Sequence, residues 1–164
     1  MLTNHEGVSP FLQCPSLTLY PSAVTVPEKK MKRKETREEA VKIAYSMDIN
    51  KELGKFNTAE YIDHFQLEEM DAEYLDKTIV DMIDNLEIID KYITDNSKDW
   101  KISRIAKVDL AVLRIALAEI LYNETIPESV SINEAVEISK KFSNEDSHKF
   151  INGILGTVVR HIKK

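Results

Sequence analysis

Cysteine, glycine and long apolar runs are scarce in this chain, and each scarcity excludes a class of protein. Cys14 is the only cysteine among the 164 residues, so no disulfide can form within the chain, and a reducing compartment fits. No apolar run approaches the roughly 18 residues of a membrane-spanning helix. Only four glycines and five prolines are present, which argues against an all-β fold with many tight turns. The composition, 43% hydrophobic and 30% charged, is typical of a soluble globular domain.

Sequence motifs for catalysis and for metal binding are also missing. There is no glycine-rich phosphate-binding loop, no Gly-x-Ser-x-Gly motif and no Cys/His pair at metal-ligand spacing. Carboxylates are plentiful, but most lie on the polar side of predicted helices, where solvation is their ordinary role. The four histidines are scattered: His5, His64, His148 and His161. We therefore expect no enzymatic activity, no metal and no cofactor.

The first 30 residues differ in composition from the rest. They hold four of the five prolines and show no sustained hydrophobic period, which predicts an irregular extension over residues 1–30. Their N-terminus lacks lysine and arginine, unlike a signal peptide. We hypothesise that the folded domain spans residues 31–164 and that Met31 is the authentic start. A non-native leader and a functional tail are the alternatives, which mass spectrometry of the native protein would distinguish.

Charge is segregated along the chain. The formal net charge is −6, yet residues 29–37 carry six basic residues and one acid, whereas residues 60–99 carry thirteen acids and three lysines. Overall acidity argues against indiscriminate nucleic-acid binding, but a local basic arm remains compatible with binding at one site. The alternative is that the basic run is only a solvated charged segment.

Apolar residues beyond Met31 recur at helical spacing almost throughout, and no strand pattern alternates with them. Thr36–Glu39 and Ser131–Glu134 read as capping boxes, Asp71 as an N-cap, and Trp100 as a core anchor. The predicted helices cover residues 36–50, a short segment after Thr58, a long segment from 71 to about 94, a short segment from Ser97, 103–123, 131–142 and a last segment from about Asn144. An all-α bundle of about seven helices follows.

Four core stripes support this assignment. Ala40, Ala44 and Met47 follow one another at spacings of four and three on the first helix. The long third helix carries Leu75, Ile79, Met82, Leu86, Ile89 and Ile93, and the last helix carries Phe150, Ile151, Ile154, Leu155, Val158, Val159 and Ile162. On the short second helix, Ala59, Ile62 and Phe65 share one side. Each stripe predicts the face that packs inward.

The fifth predicted helix, residues 103–123, is apolar around most of its circumference and is expected to be central. Arg104, Lys107 and Arg114 fall within about 80° of one another on a helical wheel. They form a basic stripe on an otherwise buried helix. One interpretation is a functional basic stripe. The alternative, which we favour on the pattern alone, is an ordinary exposed face or internal salt bridges, for instance to Glu119.

Gly153 and Gly156 are unexpected in the last helix, because each costs about 1 kcal/mol relative to alanine. They lie opposite the core stripe, on the side of Lys149 and Arg160. We expect a close approach there, either by a neighbouring helix or by a ligand. Phe150 lies at the edge of the stripe, where it either completes the core or stacks on an unpaired base.

Three stretches together resemble the NusB family of bacterial transcription antitermination factors: AVLRIALAEI (111–120), SVSINEAVEISKKF (129–142) and EDSHKFINGILG (145–156). RKETREEAVKIAY (33–45) is similar to the family's first helix. The resemblance covers about residues 31–162, although the acidic middle matches mainly in pattern and residues 1–30 match nothing in the family.

The resemblance implies an all-helical fold of two small packed bundles and no catalysis. It implies a cytoplasmic factor that binds the boxA element of ribosomal RNA leader transcripts together with the ribosomal protein NusE. As part of the RNA polymerase antitermination complex, such a factor promotes read-through of terminators in ribosomal RNA operons.

Carried over position by position, the resemblance also implies site residues. The RNA-binding residues would be Lys32, Arg33, Lys34, Arg37, Arg114, Lys149 and Phe150. The partner-binding candidates are Tyr45, Asp109 and Asp146. Because the basic arm mixes lysine with arginine, which binds phosphate in a bidentate fashion, we expect modest affinity for RNA alone and tighter binding with NusE.

Two other function classes remain under consideration. One is a protein-only helical adaptor, in which the basic arm is passive and RNA binding shows no sequence preference. The other is a fragment of an RNA methyltransferase with a similar helical domain, although this chain shows no room for a catalytic domain and no cofactor loop.

Overall fold

The computed structural model of the protein describes residues 33–67, 71–98 and 100–163, and these residues form seven α-helices and one 3₁₀ turn without any strand. The helices are α1 (Arg33–Asn50), α2 (Thr58–His64), α3 (Ala72–Asp84), α4 (Leu86–Asn96), α5 (Lys107–Tyr122), α6 (Glu128–Phe142) and α7 (Ser147–Ile162), and the 3₁₀ turn spans Ile102–Arg104. The all-α prediction is confirmed. The predicted extension over residues 1–30, the start-site hypothesis at Met31 and the predicted site residue Lys32 lie outside the described residues.

Helix α5 is the centre of the fold. It packs against α1 and α3 on one side and against α6 and α7 on the other, while α4 contacts both α5 and α7. Its side chains Leu113, Ile115 and Leu117 are almost completely buried. The two helix groups therefore share α5, and their buried residues form one continuous hydrophobic cluster. This explains why α5 is apolar around most of its circumference.

The predicted long third helix is in fact two helices, α3 and α4, and that prediction was wrong. Asn85 ends α3 with φ −118° and ψ 21°, and both its backbone N–H and its side-chain amide donate to the carbonyl of Asp81. Such a side-chain bond to the preceding turn competes with continued helix. The apolar spacing from Met82 to Leu86 runs across the break unchanged, so periodicity alone could not reveal it.

Both predicted capping boxes were wrong, because each serine or threonine lies inside a helix that begins three residues earlier. Thr36 is buried within α1, and its hydroxyl accepts the backbone N–H of Asp71. Ser131 is buried within α6, which begins directly after Pro127. The predicted N-cap at Asp71 is confirmed, since its carboxylate accepts the backbone N–H of Tyr74.

The region between α4 and α5 also differs from the prediction. Ser97 ends α4 instead of starting a helix, and Trp100 is 55% exposed instead of anchoring the core. The predicted fifth helix begins at Lys107, four residues later than expected, because residues 102–104 form the 3₁₀ turn. The last helix begins at Ser147, three residues later than predicted.

The predicted core stripes of the longer helices are largely confirmed. Ala40, Ala44, Met47, Leu75, Ile79, Met82, Ile89, Ile93, Ile151, Ile154, Leu155 and Val158 are all buried. Ile162, at the end of α7, is exposed. On α2 the prediction was wrong for Ala59 and Phe65, which face solvent, because so short a helix buries little beyond Ile62. Among the described residues, no helix has the length and apolar character needed to cross a bilayer.

Candidate nucleic-acid interface

Arg37 lies on α1 with its side chain turned inward, and only 4% of the residue is exposed. Its Nε donates to Glu119 at 2.6 Å, its Nη1 lies 3.6 Å from Glu134, and its guanidinium sits 5.5 Å from the ring centroid of Tyr74. Glu119 also accepts from the hydroxyls of Tyr74 and Ser131. Burial lowers the pKa of Arg37, but the hydrogen bond and the charge of Glu119 raise it by more. The net pKa lies above its ordinary value, so the guanidinium stays charged. This predicted RNA-binding residue is committed to an internal network.

Arg114 on α5 is committed in the same way and is 5% exposed. Its Nε and Nη2 each donate to Asp90 at 2.8 Å, and its Nη1 donates to Asp48 at 2.9 Å. Lys107 lies 2.6 Å from the second oxygen of Asp48. Burial raises the pKa of Asp48, but these two cations lower it below its usual range. The internal salt-bridge interpretation of the α5 stripe is confirmed for Lys107 and Arg114, with Asp48 and Asp90 as partners instead of Glu119.

Arg33 and Lys34 open α1 and present their charges at the surface. The guanidinium of Arg33 donates to Asp71 at 2.9 Å and lies 5.2 Å from the ring centroid of Tyr74. Both residues are exposed. A phosphate can therefore contact Arg33 and Lys34 at the surface, whereas Arg37 and Arg114 lie inside the protein.

The start of α7 holds three more predicted residues. Lys149 and Asp146 form an exposed ion pair at 2.8 Å, which raises the pKa of the lysine and lowers the pKa of the carboxyl. Phe150 is partly buried, and its ring centroid lies 6.2 Å from that of Trp100. Asp146 occupies the N-cap position of α7 without a side-chain capping bond.

The exposed side of α6 connects these two groups. The pKa of Glu137 is lowered mainly by a hydrogen bond from Lys140, and the charge of Lys34 lowers it further. Helix α6 packs against α7, and its Lys141 forms an ion pair with Glu38 of α1, so α6 links α1 to α7. We define the basic surface as the exposed residues Arg33, Lys34 and Lys149 together with the partly buried Phe150.

The partner-binding candidates divide between surface and interior. Tyr45 is exposed on α1, whereas Asp109 is buried at the start of α5. The carboxylate of Asp109 accepts from the hydroxyl of Ser143 at 2.5 Å and from that of Ser147 at 2.9 Å. These two bonds tie α5 to the turn between α6 and α7. Asp109 thus positions the start of α7, and its predicted contact with a partner stays a prediction.

Besides Phe65, sequence reasoning missed two exposed aromatic residues, Trp100 and Phe142. Phe142 faces solvent, with the ammonium groups of Lys141 and Lys42 at 5.0 Å and 5.9 Å from its ring centroid. Trp100, assigned to the core, lines a surface groove next to Phe150. Only the position of Phe142 at the last residue of α6 could have suggested exposure. For Trp100 the sequence carries no such signal.

The space beside Gly153 and Gly156 is open. A methyl group built on either glycine would meet no atom within 4 Å. No described part of the chain packs there, so the neighbouring-helix interpretation is wrong for the described residues. The two glycines leave a bare strip of α7 at the surface, between Lys149 and Arg160. Nor do the described residues bring together three or more side chains able to hold a metal ion.

Comparison with known proteins gives one consistent family. The family model described as NusB matches residues 34–160. The transcription antitermination protein NusB of Finegoldia magna is 38% identical over 130 residues, which are 79% of this chain and 95% of that protein. Two solved structures share the fold. T. maritima NusB matches 80% of this chain and 92% of its own with TM-score 0.71 and 30% identity. A chain from the complex of antitermination factors NusB and NusE with dsRNA matches 79% and 96% with TM-score 0.68 and 25% identity.

Proposed function

The chain belongs to the NusB family, and on that premise we propose that it is a transcription antitermination factor that binds boxA RNA together with NusE. In this role it promotes read-through by RNA polymerase in ribosomal RNA operons, as part of the antitermination complex in the cytoplasm. It acts by binding and performs no catalysis. The structurally similar complex of NusB and NusE with dsRNA supports both partners.

The observation that carries the proposal is the basic surface. Its cations stand at the surface on two helices, α1 and α7, although the whole chain has a formal charge of −6. Exposed lysine and arginine neutralise phosphates and release counterions, which makes binding strong at low salt. Phe150 adds an aromatic ring of the kind on which unpaired RNA bases stack. A local cationic surface with an aromatic ring suits RNA better than it suits an apolar protein partner.

Arg37 and Arg114 take a different role in this proposal. Both guanidinium groups are already bonded to carboxylates of other helices. Turning Arg37 toward a phosphate would leave Glu119 buried without a cation, and turning Arg114 outward would break its bonds to Asp48 and Asp90. We therefore assign them to holding α1, α4 and α5 together. Asp109 similarly holds the start of α7 through Ser143 and Ser147. We therefore assign the RNA contact to the basic surface and to the basic arm before α1, which contains Lys32.

For NusE we propose the surface that contains Tyr45 and Phe142. Tyr45 and Lys42 are one turn apart on the exposed side of α1, and Lys42 lies close to the ring of Phe142. Exposed aromatic residues are enriched where proteins associate. Asp146, which is highly exposed, can serve the same partner from the start of α7.

The decisive experiment is a gel shift with boxA RNA and with a scrambled RNA of equal length, each with and without NusE. We expect boxA to bind in preference to the scrambled RNA, and NusE to strengthen the complex. The affinity should fall steeply with salt concentration, because phosphate contacts dominate. Equal binding of both RNAs in the presence of NusE would favour the protein-only adaptor.

The methyltransferase fragment receives no support from the comparisons. This chain covers 95% of a relative whose name is that of an antitermination protein.

A second arm of the experiment tests whether the cations of the basic surface bind RNA: a Lys34→Gln/Lys149→Gln variant should lose RNA affinity at low salt. A Lys77→Gln/Lys91→Gln variant, which alters exposed ion pairs on α3 and α4, is the matched control.

A further inference from the structure

An ion pair at the edge of the basic surface joins the first turn of α1 to the first turn of α3. Both Nε and Nη2 of Arg33 donate to the same carboxylate oxygen of Asp71, Oδ2, at 3.2 Å and 2.9 Å. The other oxygen, Oδ1, accepts the backbone N–H of Tyr74 and caps α3. The two oxygens of Asp71 therefore have separate roles: one caps a helix, and the other binds the guanidinium of Arg33.

The neighbouring residues fix the position of Asp71. Its backbone N–H donates to the hydroxyl of Thr36 at 3.3 Å, and Thr36 is fully buried within α1. The ring of Tyr74, which is 4% exposed, has its centroid 5.2 Å from the guanidinium of Arg33. The carboxylate of Asp71 and the ring of Tyr74 together hold the Arg33 side chain against the start of α3.

This ion pair is nevertheless accessible from solvent. The Arg33 side chain is 50% exposed and that of Asp71 is 28% exposed. Exposed ion pairs contribute little to stability, so a phosphate can displace the carboxylate at small cost. A guanidinium uses the same planar set of N–H donors for a carboxylate and for a phosphate. Asp71 and an RNA phosphate therefore compete for Arg33.

We propose that Asp71 lowers the affinity of the protein for RNA by competing with phosphates for Arg33. This inference rests on the proposed function and adds to it a residue that sets how strongly the basic surface binds RNA alone. Phosphate contacts carry no sequence information. The competition therefore weakens the binding of every RNA by the same factor, and it leaves the selection of boxA to base contacts and to NusE.

The variant Asp71→Asn separates the two roles of this residue. Asparagine is as good an N-cap as aspartate, so its side-chain oxygen can still accept the N–H of Tyr74. The amide nitrogen that replaces Oδ2 is a donor and cannot accept from Arg33. Asp71→Ser is a second variant, since serine also caps helices but has a shorter, uncharged side chain. Circular dichroism and urea denaturation verify that both variants are folded.

Affinity is measured without NusE, by fluorescence anisotropy with labelled boxA RNA and with scrambled RNA of equal length. Asp71→Asn should raise the affinity for both RNAs about two- to fivefold, the range expected when one exposed ion pair no longer competes. The slope of log affinity against log salt concentration should become steeper by up to about 1, because Arg33 gains a phosphate contact. A residue with a purely structural role would lower the affinity or leave it unchanged.

Two controls distinguish the ion pair from charge in general. Glu73→Gln removes the same negative charge from the same turn of α3, where Glu73 is exposed and forms no ion pair within the described part of the chain. This variant should raise the affinity much less than Asp71→Asn. In an Arg33→Gln background, Asp71→Asn should have no larger effect than Glu73→Gln, because the side chain that it releases is absent.

Three results would overturn the proposal while leaving the proposed function in place. If RNA affinity and its salt dependence are unchanged in folded Asp71→Asn, phosphates do not compete with Asp71. If both Asp71 variants bind RNA more weakly, the carboxylate orients Arg33 toward RNA instead of competing for it. An equal gain for Glu73→Gln would assign the effect to net charge. Absence of RNA binding by the parent protein and by every variant, with and without NusE, would instead reject the proposed function together with this inference.

Discussion

The cations inside the helix bundle and the cations of the basic surface have opposite roles, although two of them come from the same segment of sequence. Arg37 and Arg114 are 4% and 5% exposed and are bonded to carboxylates of other helices. Lys34 and Lys149 stand in water on α1 and α7. Lys34 and Arg37 are only three positions apart in one helix. A basic residue in a basic segment is therefore not necessarily part of a binding surface. Whether its charge is buried or exposed depends on which face of the helix carries it.

The interior cations link several helices through directed hydrogen bonds, which an apolar residue could not form. Glu119 receives donors from α1, α3 and α6, and Arg114 joins α5 to α1 and α4. Buried ion pairs add little net stability, but removal of one member is costly because the other remains without its partner. Variants of the interior should therefore act on stability and variants of the surface on binding.

The largest effect is expected at the centre of the interior network. Glu119→Ala should lower the free energy of unfolding by about 3–5 kcal/mol, because it leaves Arg37, Tyr74 and Ser131 without their acceptor. Urea denaturation followed by circular dichroism measures this loss. Glu128→Ala, at the exposed first turn of α6, is the control and should cost far less. A loss below about 1 kcal/mol for Glu119→Ala would contradict the structural role of the network.

Arg114→Ala should cost less, about 2–3 kcal/mol, because Asp48 keeps Lys107 as a partner and Asp90 is partly exposed. The same denaturation experiment applies. At a temperature where the variant is still folded, its affinity for boxA RNA with NusE should be close to that of the parent protein. A large loss of RNA affinity in a fully folded Arg114→Ala protein would return this residue to the RNA-binding set.

Acid should weaken the Asp48 contacts. The pKa of Asp48 in the folded protein lies below its ordinary value of 3.8, so its ion pairs contribute stability at neutral pH that is lost as the pH falls through the folded pKa. The free energy of unfolding should therefore fall below about pH 5, and less steeply for Asp48→Asn. Urea denaturation at several pH values measures the two slopes. Identical slopes would show that Asp48 is not held in its charged form.

At the surface, Lys149→Gln should leave stability unchanged and weaken RNA binding. The slope of log affinity against log salt concentration should become shallower by about 1, the effect of one lost phosphate contact. Lys91→Gln is a close control, since Lys91 forms an exposed lysine–aspartate pair on α4 with 74% side-chain exposure, compared with 72% for Lys149. Equal slopes for the two variants would remove Lys149 from the basic surface.

The smallest effect on stability is expected for Gly153→Ala, whose effect on binding tests the bare strip of α7. Gly153→Ala should raise the free energy of unfolding by about 0.5–1 kcal/mol, because alanine favours helix and its methyl group meets no neighbour. If a partner approaches the bare strip of α7, the same variant should weaken the complex with NusE and RNA. Gly54→Ala is the opposite control: φ of +107° disfavours alanine there, so stability should fall and binding should stay. Unchanged binding for Gly153→Ala would exclude a close contact at this glycine.

Much of the fold follows from local patterns that survive in the structure. The core stripes of α1, α3, α4 and α7 could be predicted because helical periodicity records which face is buried. Helix ends were less predictable. Thr36 and Ser131 resemble N-caps, yet tertiary bonds to Asp71 and Glu119 use their hydroxyls inside helices. The sequence of such a motif is the same whether its hydroxyl group caps its own helix or forms a hydrogen bond with another helix.

The sequence by itself determined the all-α class, the central place of α5 and the family, because these depend on periodicity and on long stretches of matching residues. Only the tertiary structure decided which cations are buried, that Trp100 is exposed beside Phe150, and that the strip at Gly153 and Gly156 is open. The physical reason is that exposure and ion pairing depend on residues distant in the chain: Arg37 meets Glu119 across 82 positions and Arg114 meets Asp48 across 66.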